Sequence, residues 1–147
     1  MKTANDLLPK FLKGDDEAIR FNSALYEIAE LWDDLIDNDE TTRAGINAAF
    51  YAALITLPRN GFYQRHFALL NPIMEAAILD WFTANELEST GSIENKRAAF
   101  ILRCGLQAVT VMSARIIGGV EWAQAVNLEL RQQGDTWAEY SAKLGAK

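Results

Sequence analysis

Apolar residues recur at helical spacing along the whole chain, and no stretch alternates as a half-buried strand requires. The pattern predicts a first helix from about Asp15 to Asn38. Asp15 stands as its N-cap after Gly14, and Asp16 and Glu17 suit its positive end. Leu25, Ile28, Trp32 and Leu35 form its apolar stripe. A second helix follows a Thr41-Thr42 cap, with Ile46, Ala49, Phe50, Ala53, Leu54 and Leu57 on one face, and stops before Pro58-Arg59-Asn60-Gly61. A short helix over 62–70 leads to an Asn71-Pro72 cap, and a fourth runs from there to about Glu88, with Ile73, Ala77, Ile78, Trp81 and Phe82 inward.

After the loop 88–91, Ser92 caps a fifth helix that is apolar on nearly every side. Its residues include Phe100, Ile101, Leu102, Leu106, Val109, Val111, Met112, Ile116 and Ile117. A helix apolar all round is expected to be buried all round, so the stretch 92–117 is taken as the central element, stopped by Gly118-Gly119. A sixth helix covers 120–133, and Thr136-Trp137-Ala138-Glu139 has capping-box spacing for a short last one. The expected fold is all-α: a single domain over 1–147, with 1–14 as a flexible start, forming an irregular bundle of six or seven helices.

Half of the 147 residues are apolar, enough for a core without staples. The lone Cys104 excludes an internal disulfide, and the lone His66 excludes two-histidine metal motifs. Arg103, Gln107 and Arg115 interrupt the longest apolar run. Each arginine costs roughly 2.5–3.5 kcal/mol at a bilayer centre, so a buried helix is expected rather than a membrane span. The first residues hold no apolar signal region, and a cytoplasmic location is expected.

Charge changes the picture. Residues 15–40 hold ten carboxylates and one base, Arg20, while the rest of the chain is near neutral. No basic stripe is available to neutralise phosphates, which disfavours nucleic acid as a partner. On helix one, Glu27, Glu30, Asp34 and Asp37 share a face roughly opposite the apolar stripe, with Asp33 at its edge. Like charges at these spacings destabilise a helix slightly, and ordinary solvated faces mix signs. A solvated face is the plain reading. A binding face for a protein partner with a basic surface is the functional one.

The string Asp33-Asp34-Leu35-Ile36-Asp37, continuing to Arg43, resembles the first aspartate-rich motif of trans-prenyltransferases and class I terpene synthases. That resemblance implies a divalent-metal site at Asp33, Asp34 and Asp37 taking Mg2+ or Mn2+ and a phosphate or diphosphate compound. The chain is about half the length of such enzymes and has no second aspartate-rich motif. Glu27-Ile28-Ala29-Glu30 resembles half of the all-α nucleotide pyrophosphatase motif, and the expected second helix supplies no matching carboxylate. The enzymatic readings thus each lack half of their motif.

Arg103 and Arg115 lie in the most apolar helix, and a buried arginine must be paired. A carboxylate among Glu30, Asp34 and Asp37 is the expected partner. Such a pair is either a fold-specifying salt bridge or part of a phosphate pocket. A homo-oligomer burying Trp122 and Trp137 is a third reading of the chain. Trp32 to Asp37, Phe62 to Phe67 and Ala114 to Gly119 resemble segments of small all-helical proteins of tailed bacteriophages and prophages. That resemblance implies a phage accessory protein in the bacterial cytoplasm, with no assigned activity.

Overall fold

The computed structural model describes residues 3–145, and every regular element among them is helical. The chain divides into two compact units, one drawn from Lys2–Phe67 and the other from Ala68–Lys147.

The first unit begins with α1 (Ala4–Phe11), in the segment expected to be a flexible start. A reciprocal capping box holds it: Asp6 N–H donates to Thr3 Oγ1 at 3.3 Å, and Thr3 N–H donates to the Asp6 carboxylate at 2.9 Å. Leu7, Leu8, Phe11 and Leu12 are buried, and α1 packs on α2 (Asp16–Asp37). The Asp15 cap forms as expected, accepting from Ala18 N–H at 3.0 Å. At the far end, Asn38 adopts the left-handed conformation that asparagine tolerates.

The N-terminal half of α2 is well covered. Its Phe21 ring stacks on Tyr63 of α5 (Gly61–Arg65) at 4.7 Å between centroids. Asn60 ties the two helices together, accepting from Tyr63 N–H at 2.9 Å and donating to the Glu17 carbonyl at 2.9 Å. Arg65 pairs with Glu17 at 3.1 Å, and this carboxylate lies so close to Gly61 that a Cβ there would stand 2.7 Å from it.

Thr42 caps α3 (Arg43–Tyr51), accepting from Gly45 N–H at 3.0 Å. The helix widens into a π-turn over Ala52–Thr56 before α4 (Leu57–Arg59). Pro58 explains the widening: it lacks the N–H that would reach Leu54, and its ring would strike that carbonyl. Leu57 instead donates to the Ala52 carbonyl, five residues back.

In the second unit, α6 (Phe67–Glu88) passes through Pro72 instead of starting there. The helix boundary falls at His66, whose φ of −118° ends α5. The carbonyl deprived of a donor by Pro72 belongs to Ala68, an exposed residue within reach of water.

The helix expected over 92–117 is two helices, α7 (Ile93–Leu102) and α8 (Gln107–Gly118). Between them the backbone tightens into three-residue turns: Cys104 N–H bonds Ile101, Gly105 bonds Leu102, and Gln107 bonds Cys104. Gly105 sits against Ala77, where an added Cβ would stand 3.1 Å from the Ala77 Cα. The stretch 93–118 remains long and apolar enough to cross a membrane by length and composition, yet only 22% of its apolar window is buried. The expectation of all-round burial therefore fails. Ala99, Val109 and Ala114 are buried, while Ile93 and Ile101 are more than half exposed.

α8 packs along α9 (Val120–Gln133), and α10 (Trp137–Gly145) closes on α7. The expected capping box at Thr136 and Glu139 forms in both directions, at 2.8 and 3.2 Å. Phe100, Trp137 and Tyr140 make the α7–α10 aromatic contact, with centroids 5.1–5.9 Å apart.

The α8–α9 turn depends on Gly119, at φ 86° and ψ −178°, a region essentially closed to other residues. Trp122 fills the space beside Gly118. Gly119→Ala is expected to destabilise the protein by about 1–3 kcal/mol, read from the urea unfolding midpoint.

Candidate functional site

The apolar stripe of α2 continues past its covered half. Beyond Leu25, the residues Ile28, Leu31, Trp32, Leu35 and Ile36 keep helical spacing on one side. Across from them stand Ala49 and Phe50 of α3 and Ala53 of the π-turn. Together these eight residues line a groove of about 480 Å³. No charged side chain lines it. It is open: Trp32 is 37% exposed, Leu35 41%, Ile36 53% and Phe50 58%. Trp32, Leu35 and Phe50, expected on inward apolar faces, open outward into a lined depression together with Ile36. The periodicity identified the stripe correctly, and the chain covers only the part of it against α1 and α5.

The same half of α2 carries the acidic residues. Glu27 and Glu30 are exposed, and Asp33, Asp34 and Asp37 are half-buried. Helical rotation of about 100° per residue places Asp33 beside Ile36 at one border of the apolar strip. Glu27 and Asp34 flank Leu31 at the other border, and Glu30 and Asp37 lie on the back. Glu27, Glu30 and Asp34 take part in no ion pair among the described residues. Asp39 and Glu40, both exposed, add charge where α2 ends.

This charge stands at the wrong end of its helix. A helix C-terminus carries roughly half a negative charge and favours cations. Here five carboxylates fall within residues 33–40, and the last turn of α2 holds no base. The pairs Glu30/Asp34 and Asp33/Asp37, one turn apart, each oppose the helix by about 0.2–0.5 kcal/mol. Among the described residues no group of three or more His, Cys, Asp or Glu side chains is gathered as a metal ion would require.

The two arginines part company. Arg115 is exposed near the end of α8. Arg103, at the α7–α8 break, is mostly buried and grips Glu88 with two bonds: Nε donates to Oε1, and Nη2 donates to Oε2 at 2.6 Å. The same Nη2 donates to Asn85 Oδ1 at 2.6 Å, and the Tyr140 hydroxyl donates to Glu88 Oε1. The carboxylate that answers Arg103 is thus Glu88, not one of the expected Glu30, Asp34 or Asp37. The need for an acid partner was readable from an arginine among apolar residues. Glu88, Asn85 and Tyr140 were not, because only the packing of α6, α7 and α10 unites them. Every group in this network is engaged by another, so we read it as structural.

Comparison with protein-family models, curated proteins and solved structures gives no match to this chain.

Two outcomes follow. Burial, then the bond to Glu88, raises the Tyr140 phenol above its ordinary pKa of 10.0, with Arg103 acting in the opposite direction. The neutral phenol is therefore favoured more in the folded state. Its contribution is fully present below pH 10.0 and is lost as pH climbs through the raised folded value. The stability advantage of the native chain over Tyr140→Phe should shrink from about pH 9 to about pH 11, followed by urea denaturation. At the other site, Asp34→Asn should raise stability by about 0.3–1 kcal/mol, because it removes a carboxylate from a helix C-terminus.

Proposed function

We propose that this chain is an interaction protein that engages a protein partner with a basic surface through α2, as an accessory protein of the tailed-phage type working in the bacterial cytoplasm. The observation that carries the reading is the union of two features on one half of one helix. An apolar groove stands open there, and the surrounding carboxylates are crowded at a helix end that favours cations. An exposed apolar patch rimmed by polar groups is a common mark of a protein interaction site. A rim of one sign guides an oppositely charged partner into register and speeds its arrival. The phage setting rests on the resemblance of the Trp32–Asp37, Phe62–Phe67 and Ala114–Gly119 segments.

The reading is tested with two baits presented to a bacterial lysate: the native chain and a variant with Asp33, Asp34 and Asp37 all changed to Asn. The native bait should retain a basic protein at about 50 mM salt and release it by about 500 mM, as screening shortens the reach of the charges. The variant should not retain it at either salt. Identical sets of proteins on both baits would end the proposal.

A further inference from the structure

We infer that the groove between α2 and α3 receives a cationic amphipathic helix: an apolar stripe seated on Trp32, Leu35, Ile36 and Phe50, flanked by lysine or arginine that meets Asp33 and Asp34. This rests on the proposed protein-binding role of α2 and specifies the partner's form.

The dimensions fit a helix. The groove-lining strip from Ile28 to Ile36 spans nine residues, or about 13 Å at 1.5 Å per residue. That length matches two to three turns of a partner, hence anchors at i, i+3 or i+4, and i+7. The lining is apolar throughout, so specificity must come from the border. There the carboxylates stand on α2, at the two edges of its stripe and beyond its C-terminus.

Charge selects among occupants. A second copy seated by a two-fold axis would set the same acidic border against itself, on a chain whose net charge is −6. The start of the chain is already committed, since α1 packs on α2 and its Leu7, Leu8 and Phe11 are buried. A helix with cationic flanks instead relieves both the carboxylate crowding and the unfavourable helix end. The same carboxylates repel an acidic helix of identical apolar face, which gives the groove a way to reject partners as well as to accept them.

Three synthetic 18-residue helical peptides test this against the full-length chain by fluorescence anisotropy. One has a leucine stripe with lysine flanks, one the same stripe with glutamate flanks, and one lysine flanks with glutamine in place of leucine. The lysine–leucine peptide should bind one to one and at least tenfold more tightly than either control. Phe50→Gln and Leu35→Asn, read independently and checked by circular dichroism, should each weaken it at least fivefold. If either variant folds as the native chain does and binds this peptide unchanged, the groove is not the seat and the inference falls, while the acidic-face reading stands. Equal binding of the lysine–glutamine peptide has the same meaning. Failure of both lysine peptides to bind at millimolar concentration overturns the inference and the acidic-face reading together. A native dimer in light scattering that Phe50→Gln dissociates would show the occupant to be a second copy, and would also overturn the inference.

Discussion

The apolar stripe of α2 is longer than the cover this unit provides for it. The helix runs for 22 residues, about 33 Å. α1 and α5 bury its first half through Ala18, Phe21, Ala24 and Leu25. The second half repeats the same pattern against α3 and the π-turn, leaving Trp32, Leu35 and Ile36 open beside Phe50. Full burial of a large apolar side chain is worth about 1.5–3 kcal/mol. Several kilocalories per mole of burial are therefore left for an external surface to supply. The carboxylates deepen the imbalance, since they crowd a helix end that calls for positive charge. Apolar exposure and unfavourable charge fall on the same C-terminal half of α2, and a single partner would relieve both.

The second unit treats charge in the opposite way. Arg103 lies at the break between α7 and α8, and Glu88, Asn85 and Tyr140 surround it from α6 and α10. Losing any partner would leave another buried and unsatisfied, which makes such a network a strong determinant of which helices pack together. Its groups are spent on one another. The α2 carboxylates Glu27, Glu30 and Asp34 have no such internal partner among the described residues. This contrast is why we place function on the first unit and architecture on the second.

Local signals were legible at most of the positions where a side chain bonds nearby backbone. Asp15, Thr42, Ser92 and Thr136 all cap the helices their spacing announced. Thr3 and Asp6 carry the same signature ahead of Leu7 and Leu8, and the short length of α1 hid it. Signals that depend on neighbours read poorly. Pro72 resembles a helix start, yet the chain tolerates it inside α6, where the orphaned carbonyl reaches water. Gly105 resembles one weak residue in a long apolar helix, yet its approach to Ala77 accompanies a change from helix to tight turns. Periodicity showed which face of α2 is apolar. It could not show whether anything covers that face, because cover is supplied from elsewhere in three dimensions.

The openness of the α2 strip in the isolated chain can be measured directly at Trp32. Labelling with 5-fluorotryptophan gives one fluorine resonance for each of the four tryptophans, and Trp32→Phe identifies the one that matters. A soluble paramagnetic agent broadens resonances in proportion to their accessibility. The account predicts strong broadening of the Trp32 signal, clearly greater than for Trp122 packed beside Gly118. A Trp32 signal as protected as that of Trp122 would mean the strip is already covered, and would contradict the account.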